Sequence, residues 1–247
     1  MFKKSFKKRP RKCLFYGTQG IGKSTACKDF LIVDLEDGSC DIECARYEPK
    51  PTSYEELCEV IKWLVKNQVE QSTIAFDSAS WVDKLVAREV CCKAGSLSLA
   101  EVEYGKGGGM CVPYWEHLCE GFSTIIEKQG KNIVLVAHSK ISKISPPGLS
   151  AFQRYEPDLV PEVAAVLNRW ADDIIFYRWR TLTRSEDGGF GRERAVAIDT
   201  QERYLQTVET PSAIAKNRLN LPAEITSFAD YVTHLPQPQT QEEQSNG

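Results

Sequence analysis

The stretch Leu14-Phe15-Tyr16-Gly17-Thr18-Gln19-Gly20-Ile21-Gly22-Lys23-Ser24-Thr25 leaves this chain few folds to choose from. An apolar run feeds a Gly-x-x-x-x-Gly-Lys-Ser loop, and helix-compatible sequence follows with no proline at the exit. That is the P-loop pattern in the strand, loop and helix setting it needs. Glycines let the backbone turn tightly with its N–H groups facing inward, where they and the N-terminus of the next helix cradle a polyphosphate. Gly17, Thr18, Gln19, Gly20, Ile21, Gly22, Lys23, Ser24 and Thr25 are therefore expected to form a nucleotide site. Lys23 would reach the outer phosphates and Ser24 would hold Mg²⁺.

Three further apolar runs end in polar residues. Phe30 to Gly38 closes on Asp34, Glu36 and Asp37, Ser72 to Ser78 closes on Asp77, and Asn132 to His138 closes on the histidine itself. Each reads as a buried parallel strand. In an open α/β sheet the ligand lies outside the carboxyl ends of the strands, so these tips are expected to converge near the phosphates. Asp77 falls where a P-loop protein places the carboxylate that organises Mg²⁺. Its successor is Ser78 rather than a glutamate, which leaves Glu36 to orient an attacking water. His138 reads either as a hydrogen-bonded histidine at a strand end or as a group that senses the terminal phosphate.

Between these runs, Tyr54 to Asn67 places Leu57, Val60, Ile61, Leu64 and Val65 at helical spacing behind a Ser53 cap, with Glu56 three residues on. Trp81 to Ala94 and Pro113 to Gln129 are also helix-compatible. Tyr104 to Met110 contains Gly107, Gly108 and Gly109 in succession and is expected to be a mobile loop. Ser139 to Leu159, broken by Pro146, Pro147, Gly148 and Pro157, is expected to be long and irregular. It interleaves Lys140, Lys143 and Arg154 with Phe152 and Tyr155. Charges for phosphates and rings for bases are what a single-stranded DNA surface needs; the plainer alternative is a surface loop anchored by two rings. Ala171 to Arg180 and Arg194 to Thr200 read as two strands around a polar turn at Asp187-Gly188-Gly189. Lys216 and Arg218 project from one face of an extended segment, and no motif in the chain supplies an anion for them.

A chain of 247 residues is within the range of one α/β unit with a substantial core. No run of about 18 apolar residues is present to span a membrane, and Met1 to Lys12 has no apolar signal core, so a cytoplasmic setting without a membrane partner is expected. The nine cysteines form no Cys-x-x-Cys pair, and Cys40-x-x-x-Cys44 has no matching pair downstream. Neither disulfides nor a zinc site is expected. Lys3, Lys4, Lys7, Lys8, Arg9, Arg11 and Lys12 crowd the start, leaving 24 basic against 34 acidic residues in the rest. A basic arm over residues 1–12, suited equally to nucleic-acid phosphates and to solvent, thus precedes a domain over residues 13–234. The Gln/Pro/Glu-rich tail over residues 235–247 is expected to be disordered.

The P-loop, Asp34-Leu35-Glu36-Asp37, Phe76-Asp77, Tyr104-Gly105-Lys106-Gly107, Val136-Ala137-His138 and Lys216-Asn217-Arg218, in that order, resemble RecA-like ATPases. They are most similar to the phage nucleotide-binding proteins that act as single-strand-annealing recombinases. The likeness covers about residues 13 to 222; the P-loop is its specific element, and the others weigh through order and spacing. The resemblance implies a RecA-like P-loop NTPase core of α/β class, with a mostly parallel central sheet flanked by helices and a C-terminal β-hairpin. It implies ATP as ligand, Mg²⁺ as cofactor and Glu36 in the catalytic-glutamate position. Tyr104 to Tyr114, where Lys106 adds a cation, and Ser139 to Leu159 take the places of two DNA-binding loops. Lys216 and Arg218 become trans-acting cations set against a neighbouring subunit's ATP, in a homo-oligomeric ring or filament. The implied activity is ATP-dependent single-stranded DNA annealing or recombination, in the host cytoplasm if phage-encoded. The chain departs from bacterial RecA in carrying His138 where RecA has glutamine, and in lacking its extra domains. Two other functions stay open on the residues alone: a small-molecule P-loop kinase with Lys140 to Arg154 as its lid, and a non-hydrolysing, ATP-gated DNA clamp or helicase loader.

Overall fold

The computed structural model describes residues 9–102, 105–187 and 193–235. Along the chain run β1 (Lys12–Gly17), α1 (Lys23–Ala26), β2 (Leu31–Asp34), β3 (Ala45–Arg46), α2 (Tyr54–Lys66), β4 (Thr73–Asp77), α3 (Ala79–Ala94) and α4 (Gly107–Gln129). They are followed by β5 (Asn132–Ile144), β6 (Phe152–Pro157), α5 (Pro161–Trp170), β7 (Asp173–Asp187), β8 (Glu193–Gln206), β9 (Glu224–Ile225) and α6 (Phe228–Thr233). The described strands make one sheet in the order β3-β2-β4-β5-β1-β7-β8-β9, and β6 pairs with β5 off that path. β1 to β5 and β7 are parallel, while β8 returns antiparallel to β7 as the expected C-terminal hairpin. The α/β class, the mostly parallel sheet and its flanking helices are as expected.

The apolar runs become central strands because both faces of the sheet are covered. Successive residues of a strand point to opposite faces. Leu14, Tyr16, Ile74, Phe76, Ile133 and Leu135 therefore pack under α2 to α5 on one face. On the other, Phe15, Ile32, Ala75, Val134 and Val136 meet Phe228 and Tyr231 of α6, with the Phe15 and Phe228 rings stacked at 4.0 Å. The register then sets the level of the functional tips. Gly17 lies opposite His138 and Tyr177, and Asp34 lies opposite Asp77.

Several expectations are corrected. The three glycines expected to break into a loop open α4, which also contains Pro113. Their small size is the reason: a side chain on buried Gly107 would collide with the Leu99 carbonyl, and one on Gly108 with the Glu162 carboxylate. Ser139 to Leu159 is not irregular, because β5 continues to Ile144 and pairs antiparallel with β6, from Ser139 opposite Pro157 to Ile144 opposite Phe152. Pro146, Pro147 and Gly148 occupy the connecting turn, where they interrupt no ladder. The described part of the basic arm is docked on the domain. Arg9 meets Asp172 at 2.6 Å, and Arg11 grips both oxygens of Asp173 at 2.9 and 3.0 Å. Two adjacent buried carboxylates need cations, and the arm supplies them. Leu235, placed at the head of the tail, is buried in the core. The rest of the arm (residues 1–8), Tyr104, the Gly188-Gly189 turn and the rest of the tail (residues 236–247) lie outside the described residues.

The start of α4 allows a paired test. Gly107→Ala should destabilise the protein by about 1–3 kcal/mol through overpacking. Gly109→Ala, with nothing within 4 Å of the added carbon, should be neutral or stabilise by about 0.5–1 kcal/mol. Denaturant midpoints of the two variants decide whether α4 begins at these glycines.

Candidate nucleotide site

Strands β1, β2, β4 and β5 and helix α1 bring the site together. Gly17 ends β1 so close to β7 that a β-carbon would lie 2.5 Å from the Tyr177 carbonyl oxygen, and Gly20 and Gly22 take positive φ of 73° and 97°. These positions require glycine. The turn they build delivers Lys23 to the start of α1, where its side chain folds back and donates to the carbonyls of Gly17 and Thr18, each at 3.0 Å. Lys23 is 7% exposed. Burial pulls its pKa down, against the attraction of Asp77 and Glu36. Nearby, Thr18 Oγ1 is buried with no hydrogen-bond partner among the described residues. A buried ammonium with only carbonyl partners and an orphaned hydroxyl fit an anion, and a phosphate would satisfy both.

Ser24 Oγ donates to Asp77 Oδ2 at 2.5 Å, joining α1 to the tip of β4. Burial raises the Asp77 pKa and outweighs the Ser24 bond; the negative charges of Asp34 and Glu36 add to the rise. A dication beside this pair would favour the ionised carboxylate. Among the described residues no cluster of three or more His, Cys, Asp or Glu side chains is placed to hold a metal. Mg²⁺ is usually bound through one or two carboxylates plus substrate phosphates, and the Ser24 and Asp77 oxygens fit that donor set.

Asp34 has a different task from its neighbours. Its two oxygens accept the backbone N–H groups of Glu36, Gly38 and Ser39 at 2.9–3.2 Å and the Ser39 hydroxyl at 2.5 Å. Burial would raise its pKa, but these bonds together lower it. It shapes the turn that presents Glu36. The Glu36 carboxylate accepts from the Ser78 hydroxyl, and His138 Nε2 lies 2.9 Å from its Oε2. Burial pushes the Glu36 pKa up, yet the bonds from His138 and Ser78 outweigh it, and the group is held below the usual carboxylate range. His138 is anchored in turn by its backbone, donating to Ser80 Oγ at 3.0 Å and accepting from Asp158 N at 2.8 Å. Ser78 and Ser80 were missed in the sequence; the only signal was a hydroxyl residue where a glutamate can stand.

The expected DNA contacts do not form one surface. Directly paired residues of a hairpin share a face, so Lys140, Phe152 and Arg154 lie on one side and Lys143 and Tyr155 on the other. Lys140 donates to the Leu159 carbonyl, Arg154 pairs with Glu156 at 2.8 Å and Glu209 at 3.2 Å, and Tyr155 is half-buried against Phe176. Lys143 is exposed, and Lys106 is the N-cap residue of α4. Lys216 and Arg218 are not brought to the P-loop. They lie beside the opposite end of β1, where Lys216 caps the carbonyl end of α5 through Asn168 and Ala171 and Arg218 meets Asp172 at 3.0 Å. The expectation that the chain offers them no anion is thus corrected by Asp172 and its neighbour Asp173, which accepts the Arg218 backbone N–H at 2.9 Å.

A strand–P-loop–helix turn joined through Ser24 to the carboxylate at the tip of another parallel strand points to a nucleotide-binding domain, and residues 9–219 match the AAA domain family AAA_24. The chain belongs to that family. No curated protein matches this AAA domain in sequence. Its fold is similar to the crystal structure of the RadB recombinase, at 11% identity and a TM-score of 0.43 over 81% of each chain. It is also similar to flagellar accessory protein FlaH from Methanocaldococcus jannaschii, at 13% identity and a TM-score of 0.32 over 82% of this chain and 87% of that one.

The half-compensated ammonium of this AAA domain gives a prediction. Lys23→Met removes a buried charge without removing a carboxylate partner in contact with it, so the thermal midpoint should be unchanged or raised while nucleotide binding is lost. A variant that unfolds well below the wild type would show that Lys23 serves the fold instead.

Proposed function

We propose that the protein is a Mg²⁺-dependent ATPase whose nucleotide state is read by single-stranded DNA, acting in DNA annealing or recombination of the phage type implied by the sequence resemblance. The observation that carries the reading is the contact between Glu36 and His138. Glu36 is an ionised acceptor suited to orient water at a terminal phosphate, and its partner stands where β5 leaves the core and becomes the β5–β6 hairpin. A change at the phosphate that draws Glu36 away releases His138 at the root of that hairpin. Lys23 would neutralise phosphate charge, Ser24 and Asp77 would hold Mg²⁺, and bound Mg²⁺ would supply neutralisation of charge developing on the phosphates.

On the DNA side, the hairpin offers exposed Lys143 and half-buried Phe152. Lys106, Lys140, Arg154 and Tyr155 contribute where DNA displaces their present partners. Lys216 and Arg218 cannot reach their own P-loop from the far end of β1, so a catalytic role for them requires a second copy in a homo-oligomer. The Arg218 side chain is 53% exposed, which leaves it open to such a neighbour.

Steady-state hydrolysis with and without single-stranded DNA tests the reading. The wild type should turn over ATP faster with DNA, and Glu36→Gln should bind ATP and lose turnover by about 10²-fold or more. Replacing Lys143 and Phe152 together by alanine should abolish most of the stimulation. Binding without turnover would favour the clamp or loader, and phosphate transfer to a small acceptor the kinase. In the same assay, Arg218→Ala mixed with Lys23→Met should recover part of the activity that each lacks alone; co-assembled mixtures that stay inactive would remove Lys216 and Arg218 from catalysis.

A further inference from the structure

Beside the P-loop, the C-terminal hairpin carries two side chains that the phosphate chemistry does not use. Trp179 of β7 and Arg203 of β8 are register partners and share a face, with the Arg203 guanidinium carbon 4.6 Å from the Trp179 ring centroid. Trp179 is half-buried and Arg203 exposed, so the indole backs the guanidinium from beneath. Arg203 also reaches the P-loop: a β-carbon on Gly22 would lie 2.9 Å from its Nη1. It also lines a cleft of about 490 Å³ together with Tyr204, Ile225 and Thr226.

The order of the sheet determines which end of a nucleotide meets this pair. From β1 the strands run β5, β4, β2 in one direction and β7, β8 in the other. His138, Asp77 and Glu36 all sit on the β5 side, whereas Trp179 and Arg203 sit on the β7 side. A nucleoside triphosphate with its terminal phosphate toward Glu36 carries its ribose and base away from Glu36, toward β7 and β8. We propose that Arg203, backed by Trp179, is the nucleobase-binding ledge of this site, the base stacking on the open face of the guanidinium. The inference rests on the nucleotide reading above. Stacking uses the π-face that every base has, so the ledge recognises a nucleoside triphosphate as a class.

Titration calorimetry in a Glu36→Gln background, with Mg²⁺-ATP and with inorganic tripolyphosphate as the base-free probe, tests the ledge. Arg203→Ala and Arg203→Lys should each weaken ATP by about 10-fold, in line with the stacking energies of single bases, and leave tripolyphosphate unchanged. Lysine keeps the charge and loses the planar face, so full ATP affinity in Arg203→Lys would overturn the proposal. Equal weakening of both ligands would overturn it too, by making Arg203 a phosphate contact, as would unchanged affinities in both variants. Arg203 is exposed, and an unchanged thermal midpoint confirms that these variants fold. If the Glu36→Gln chain itself binds neither ligand, the phosphate site fails and the ledge falls with it; if it binds both but ignores Arg203, the ledge alone fails.

Discussion

A buried ammonium held, among the described residues, by two backbone carbonyls is the contact on which the rest of this molecule turns. Lys23 is placed by glycines that no other residue can replace without colliding with β7 or adopting a strained backbone. Burial penalises its charge, and the nearest carboxylates, Asp77 and Glu36, act on it only at a distance. Each of those carboxylates is already engaged, Asp77 by Ser24 and Glu36 by His138 and Ser78. The chain therefore keeps a buried ammonium without a carboxylate in contact, beside the orphaned Thr18 hydroxyl, and an anion would satisfy both.

The carboxylates around that point divide the work by environment. Asp34 spends both oxygens on the turn from Glu36 to Ser39 and is fixed by four donors. Asp77, deeply buried, is poised to share a cation with Ser24. Glu36 remains an acceptor, at the end of a chain of contacts through His138 to the root of a hairpin that extends beyond the sheet. Sheet order separates two sets of side chains in the same way, with Glu36, Asp77 and His138 on the β5 side and the stacked Trp179 and Arg203 on the β7 side.

Much of this was legible in the sequence. Uninterrupted apolar runs that end in Glu36, Asp77 and His138 are what parallel strands covered on both faces require, and the P-loop specified the turn between β1 and α1. The start of α4 was not legible, because the helical penalty of three glycines is local while the space they free for Leu99 and Glu162 is tertiary. The β5–β6 hairpin was hidden for a similar reason: its prolines bound the paired strands, and sequence alone does not distinguish that from breaking them. The partners of Lys216 and Arg218, and the approach of Arg203 to Gly22, depend on elements far apart in the chain and leave no pattern at all.

The most direct measurement is a crystal structure of the full chain with Mg²⁺ and a slowly hydrolysed ATP analogue. The account predicts that Lys23 Nζ leaves the carbonyls of Gly17 and Thr18 for the outer phosphates, with Mg²⁺ beside Ser24 and Asp77 and the terminal phosphate nearest Glu36. A nucleotide bound away from the P-loop, or a Lys23 that keeps both carbonyls with phosphates in place, would contradict it.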